Sequence, residues 1–251
     1  MHHLAVYRTT ALDNTINFDV PAVPDGILTI NPANHFILPM RMTVWVAFAG
    51  AITLVRARIM SPRIRQIAPA YIRPISAALL PPNDPNVAWY GDSGLLLERE
   101  EEVSIEATDS AVGPNTFHAG LWLMPLPYAP EPSGDPIRIR YTSTVAVTAG
   151  AWSLIQPIFE TSLALGEYAL VGLENISANC LFARAILDNQ FWRPGSLGLN
   201  QDSDRTAREF YQHDLGDWGH FRSVSMPRIE VLCNAADAAH EGFMEVIRVG
   251  N

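Results

Sequence analysis

The sequence contains no lysine; all 17 of its basic residues are arginine. Charged residues make up only 17% of its 251 residues, against about 25% in an average soluble domain. Cysteine is nearly absent too. Cys180 and Cys233 are the whole complement and form no CxxC pair, so neither a disulfide-built scaffold nor a zinc finger is expected. Two buried free thiols or one bond between them are the alternatives. No apolar run reaches the roughly 18–20 residues that span a bilayer. The longest, 42–55, is flanked by Arg41, Arg56 and Arg58 and reads as one or two buried strands. The N-terminus shows no cationic stretch followed by an apolar one, so no secretion signal is expected. The sequon Asn175-Ile176-Ser177 therefore carries little weight. No phosphate-binding glycine loop, dinucleotide fingerprint or zinc-finger spacing occurs.

What is present points to a globular β protein. Apolar residues reach 48%, which excludes a disordered chain. A net charge of −9 argues against a chain whose main surface grips nucleic acid. Nineteen prolines against sixteen glycines suit short strands and turns better than long helices. Strand-like segments dominate: 26–31, 36–48 with a bend at Pro39, 52–60, 95–107, 117–124, 137–147, 167–173, 181–187, 229–233 and 243–249. Several alternate with period two, as in Val103, Ile105 and Ala107 or Phe117, Ala119, Leu121 and Leu123. That alternation, with regular turn signals, marks a sandwich or jelly roll. One helix is predicted late in the chain, where Ser203 or Asp204 caps a segment running to Gln212. The other candidate, 64–80, is broken by Pro69 and Pro74.

The chain divides near its middle. Residues 125–136 read PLPYAPEPSGDP, with prolines at 125, 127, 130, 132 and 136; such a segment is extended and semi-rigid. After it only Pro157, Pro194 and Pro227 remain. The halves also align faintly at an offset of 126: Ala57-Arg58 falls on Ala183-Arg184, Val103-Ile105-Ala107 on Ile229-Val231-Cys233, and Phe117, Leu121 and Leu123 on Phe243, Ile247 and Val249. The expected organisation is all-β: one sandwich over 1–124, the linker over 125–136, and a second sandwich with a short helix over 137–251.

Two β sandwiches of similar size joined by a proline-rich link, with a helix-forming insert at 202–213 late in the second, resemble the double jelly-roll major capsid proteins of tailless icosahedral viruses and phages. The resemblance spans the chain and rests on architecture rather than on a sequence signature. It implies a structural, non-enzymatic virion protein. Such a protein self-assembles as pseudo-hexagonal trimers, tiles with neighbouring trimers into an icosahedral shell, and is made in the host cytoplasm. Contacts with other virion proteins, the genome or an inner membrane are left open, and no cofactor is implied. The chain departs from the family in two respects: the first half has no clear matching helix, and no basic N-terminal arm is present, which puts direct genome binding in doubt. The low charge and absent lysine suit surfaces that meet sister subunits, because interface cores are depleted in charge and favour arginine over lysine. A GC-rich genome produces the same arginine bias.

Few constellations carry chemistry. Gly91-Asp92-Ser93-Gly94 is similar to the nucleophile loop of chymotrypsin-like proteases. The histidines before it are only His2, His3 and His35, and the serine comes too early, so a turn is the better reading. His213, Asp214, Asp217 and His220 are metal-ligand types in a spacing that matches no standard loop. A metal cupin needs an HxH pattern, and the one close histidine pair, His2-His3, is expected in a flexible terminus. Glu98, Glu100, Glu101 and Glu102 form an acidic run, and Arg56, Arg58, Arg63, Arg65 and Arg73 a basic stretch. These nine residues are the candidates for subunit interfaces, with pairing inside the chain as the alternative. The second functional reading is a two-domain sandwich binding carbohydrate through exposed Trp192, Trp218 and Tyr211.

Overall fold

The computed structural model describes residues 2–12, 15–21, 23–24, 40–49, 56–60, 70–72, 75–76, 87–89, 95–97, 103–109, 115–125, 130, 132–188, 192–198 and 216–250. The chain forms two compact units, Ala5–Leu126 and Pro127–Asn251, the latter including Met1–Leu4. Among the described residues every regular element is a strand. The helix expected over 202–213 lies outside them.

In the unit Ala5–Leu126 the strands are β1 (His3–Leu12), β2 (Thr15–Pro21), β3 (Val23–Pro24), β4 (Met40–Ala49), β5 (Arg56–Met60), β6 (Ala70–Ile72), β7 (Ile75–Ser76), β8 (Val87–Trp89), β9 (Leu95–Leu97), β10 (Ser104–Asp109) and β11 (Asn115–Pro125). One sheet runs β3-β1-β11-β4-β7, with β8 and β9 also pairing β4; the other runs β2-β10-β5-β6. The long strand β4 thus has β11 on one side and three short strands end to end on the other: β9 against Met40–Met42, β8 against Val44–Val46 and β7 against Phe48–Ala49. β11 is central, and Phe117 through Met124 are all buried. A strand covered on both faces must be apolar at nearly every position, and FHAGLWLM is.

In the other unit the strands are β12 (Ile137–Ser143), β13 (Trp152–Ile155), β14 (Ile158–Phe159), β15 (Glu167–Ile176), β16 (Cys180–Ile186), β17 (Gly195–Leu197), β18 (Gly219–Arg222), β19 (Arg228–Cys233) and β20 (His240–Gly250). They pair as β14-β12-β20-β15-β18 and β13-β19-β16-β17. Ser196 on β17 donates to the Leu173 carbonyl on β15, so the two sheets meet through buried polar as well as apolar contacts.

The same pairing scheme occurs in both units. Rank eight principal strands in chain order, leaving aside the short β7, which pairs β4 in parallel: β1, β2, β4, β5, β6, the β8–β9 edge, β10 and β11 in one unit; β12, β13, β15, β16, β17, β18, β19 and β20 in the other. In each, first lies beside eighth, second beside seventh, third beside sixth and fourth beside fifth. The eighth then pairs with the third and the seventh with the fourth, which divides the folded ribbon into two sheets. The register refines the repeat. Arg58 faces Glu106 and Arg184 faces Glu230, so β5 maps onto β16 at an offset of 126 but β10 onto β19 at 124. Alternation is unchanged by a two-residue slip, so a match by face parity alone cannot tell 126 from 124.

The interior of the second unit is organised around one close approach. Tyr141 on β12 and Asn175 on β15 both lie opposite Gly242 on β20. The Tyr141 hydroxyl crosses over the glycine to donate to the Glu174 carbonyl at 2.8 Å and accepts from Asn175 Nδ2 at 3.1 Å. Asn175 Oδ1 in turn lies 3.4 Å from His240 Nδ1. Asn175 is completely buried in this network, which leaves its sequon no route to a glycan.

His2 and His3 are not a flexible terminus, contrary to expectation; both are fully buried in the same unit. His2 Nε2 sits 3.1 Å from the backbone of Gly195, and its ring meets Trp218 edge-on at 4.5 Å. His3 Nδ1 accepts from the Arg193 N–H at 3.1 Å, and the Leu4 N–H donates to the Arg193 carbonyl at 2.9 Å. Apolar Leu4 follows directly and is buried in the same unit beside Gly195, which carries the histidines inward.

Candidate functional site

Of the nine interface candidates, Arg56 and Arg58 fall on β5. Arg63, Arg65, Arg73, Glu98, Glu100, Glu101 and Glu102 lie outside the described residues, as does Gly91-Asp92-Ser93-Gly94. Arg58 has a partner within its own sheet: Nε and Nη2 lie 2.8 and 2.6 Å from Glu106 Oε2.

The matching position in the other unit holds a deeper version of this pair, one the sequence did not single out. Arg184 Nε donates to Glu230 Oε1 at 2.5 Å, and the guanidinium lies 3.8 Å from the Trp152 ring centre. Side-chain exposure is 8% and 15% for Arg184 and Glu230, against 22% and 23% for Arg58 and Glu106. Removing one partner of a buried pair leaves the other charge uncompensated, a loss of about 3 kcal/mol or more. Arg184→Ala should therefore lower unfolding free energy by about 3 kcal/mol, and Arg58→Ala by about 1 kcal/mol, in denaturant titrations. Equal losses would show that burial does not rank the two pairs.

The outer face of β12, β20 and β15 carries a second charged band. On β12, Ile139, Tyr141 and Ser143 point inward while Arg138 and Arg140 point out. Arg138 Nη2 lies 2.5 Å from Glu174 Oε2, its Nε 3.7 Å from Glu245 Oε1, and its guanidinium 4.0 Å from the Phe243 ring centre. Arg140 pairs with Glu160 and, at 2.8 Å, with Glu241. The Arg140 hydrogen bond holds the Glu241 carboxyl below its ordinary range. These pairs are exposed, so they contribute little to stability. Four glutamates surround two arginines, which leaves the face acidic.

Three large apolar side chains of this unit are exposed. Leu165 and Val224 are 76% and 75% exposed, and Ile158 is 68% exposed. Leu165 and Val224 are held close together: Ser223 N–H donates to the Gly166 carbonyl at 3.0 Å, and Gly166 N–H to Ser223 Oγ at 3.1 Å. Large aliphatics on tied loops are candidates for contact with another molecule.

His213 and Asp214 lie outside the described residues. His220 has one carboxylate beside each ring nitrogen, Asp217 at 3.0 Å and Glu167 at 3.5 Å. Among the described residues no group of three or more metal-ligand side chains converges. The carbohydrate platform is corrected. Trp218 is only 2% exposed and packs on His2, so it offers no face to a sugar, and Tyr211 lies outside the described residues.

No family model and no curated protein matches this chain. Among solved structures, the major capsid protein P2 from Bacteriophage PM2 is similar over 99% of this chain and 98% of that chain, at 10% sequence identity and a TM-score of 0.26. A likeness that low carries no weight for fold or function.

Proposed function

We propose that the chain is a structural virion protein: a major capsid subunit of two tandem jelly rolls, assembling as pseudo-hexagonal trimers into an icosahedral shell. The observation that carries this reading is the repeated pairing of eight strands, first with eighth through fourth with fifth, in each of two units within one chain. That order is what rolling an eight-strand antiparallel ribbon produces, and it is the wiring of a jelly roll. Fold alone does not define function. The reading draws further support from the charge-poor composition and from exposed Leu165, Val224 and Ile158, which suit burial against sister subunits. The self-contacts of such a shell, its place in the virion and its assembly in host cytoplasm belong to the same proposal. The carbohydrate-binding alternative has lost Trp218, one of the three aromatic residues it needed.

The interface candidates provide the test. Reversing charge at Glu100, Glu101 and Glu102 should reduce particle yield by about tenfold or more in negative-stain micrographs, because like charges across an interface cost several kcal/mol. Circular dichroism and the thermal midpoint of the subunit should stay as they are. Unchanged yield removes this run from the interface.

A further inference from the structure

We propose that Cys180 and Cys233 are a reversible redox latch, closing to a disulfide that ties β16 to β19 when the chain meets a small oxidant of the peroxide or disulfide class. The two residues are direct cross-strand partners, and both are fully buried free thiols. Opposed Cα atoms in an antiparallel ladder stand about 4.5–5.5 Å apart. That lies inside the roughly 4.4–6.8 Å that a disulfide spans, and the register irregularity between Cys180 and Phe182 sits on the β16 side of the pair.

The surroundings hold this geometry. The Asn234 N–H donates to the Asn179 carbonyl at 3.0 Å, and the Gly150 N–H to the Cys233 carbonyl at 2.7 Å, which pins the backbone beside both thiols. A Cβ at residue 198 would lie 2.5 Å from both the Cys180 carbonyl oxygen and Sγ, so only glycine fits beside this thiol. The Cys180 thiol donates to the Phe182 carbonyl at 3.5 Å. Burial, followed by the neighbouring Cys233, pushes the Cys180 thiol well above its ordinary range, so thiolate is scarce and oxidation of the folded chain is slow.

The chemistry balances with hydrogen peroxide. One thiolate attacks a peroxide oxygen, giving a sulfenic acid and, with its proton, one water. The second thiol displaces the sulfenic hydroxyl, forms the S–S bond and releases a second water. The protein loses two hydrogens and two electrons, and the peroxide gains them. With oxidised glutathione the same bond forms through a mixed disulfide, and two reduced glutathiones leave. The closed loop contains β17 and β18, so the bond restrains a long segment of the unfolded chain.

The test uses the full chain in two arms: folded protein incubated with hydrogen peroxide, and protein refolded from denaturant in a glutathione redox pair, so that burial cannot mask the outcome. The expected result in the refolding arm is an intact mass lower by two hydrogens, no titratable thiol in denaturant, one chain per band on a non-reducing gel, and a thermal midpoint higher by several degrees. Dithiothreitol should restore both thiols and the lower midpoint. Folded protein should reach the same state more slowly, and Cys180→Ala and Cys233→Ala should show no redox-dependent midpoint. Two titratable thiols after oxidative refolding, sulfinic acid in place of the bond, cross-linked dimers, or a midpoint that stays or falls on closure would each overturn the proposal. The latch does not depend on the capsid reading.

Discussion

Acidification from neutral pH to about 4.5 should unfold this chain. His2 and His3 are fully buried, and burial is the main reason their pKa values fall from 6.5 to about 3. His118 on β11 is likewise buried, its two ring nitrogens have no hydrogen-bond partner, and burial lowers it to about 4 with help from the Arg8 charge. His240 moves in the same direction, mainly through burial and against the pull of Asp237. In each case the folded state resists a proton that the unfolded state accepts. The stabilisation is whole above pH 6.5 and drains away as pH falls towards 3–4. Each histidine costs about 1.4 kcal/mol per pH unit within that window, so His2 and His3 together cost their unit about 3 kcal/mol per pH unit, and His118 acts on the other unit. Glu241, held low by Arg140, adds to the loss once pH falls through the carboxylate range. A domain is stable by only about 5–15 kcal/mol, so the two pH units from 6.5 to about 4.5 should exhaust a large part of it. Tryptophan fluorescence against pH should show a cooperative transition between about pH 4 and 6. A flat stability profile from pH 7 to about 4.5 would mean that the histidines are solvated.

Gly242→Ala should be the most damaging small substitution in the second unit. A methyl at that position would sit on the Glu174 carbonyl oxygen and 2.5 Å from the Tyr141 hydroxyl. β20 is central, paired to β12 and β15 along most of its length, so the backbone has nowhere to retreat. Tyr141 must swing out, and with it go its bonds to Glu174 and Asn175. Overpacking plus the stranded buried amide predicts a loss of about 3–4 kcal/mol, with the midpoint falling accordingly. Tyr141→Phe keeps the ring and removes only the hydroxyl, so it should cost about 1–2 kcal/mol. If Gly242→Ala costs no more than Tyr141→Phe, the close approach is not what holds these three strands.

Much of the second unit was legible as alternation. Ile229, Val231 and Cys233 on β19 announce a buried face, and the structure gives them one; on β20 the aligned Phe243, Ile247 and Val249 do not share a face, because Ile247 is buried with Met244 and Val246 while Val249 is 39% exposed. The run 42–55 was expected as strand, and its first part is β4. β17 and β18 were illegible, because GSL and GHFR carry no periodic signal and form only through their neighbours β16 and β15. β1 was missed because HLAVYRTTAL alternates imperfectly. The histidine pair was misread because polarity suggested a tail, while the apolar Leu4 beside it is buried in the same unit. The repeated Arg–Glu pair shows the limit best. Both arginines stood out in the aligned halves, but their partners depend on strand register, which composition does not encode.

The central claim is that this chain builds a closed shell from its own copies. Light scattering of purified protein across a concentration series, with negative-stain microscopy of the same samples, tests it most directly. The account predicts trimers that convert to large hollow particles of uniform size. A chain that stays monomeric at high concentration, with no particles in the micrographs, would contradict it.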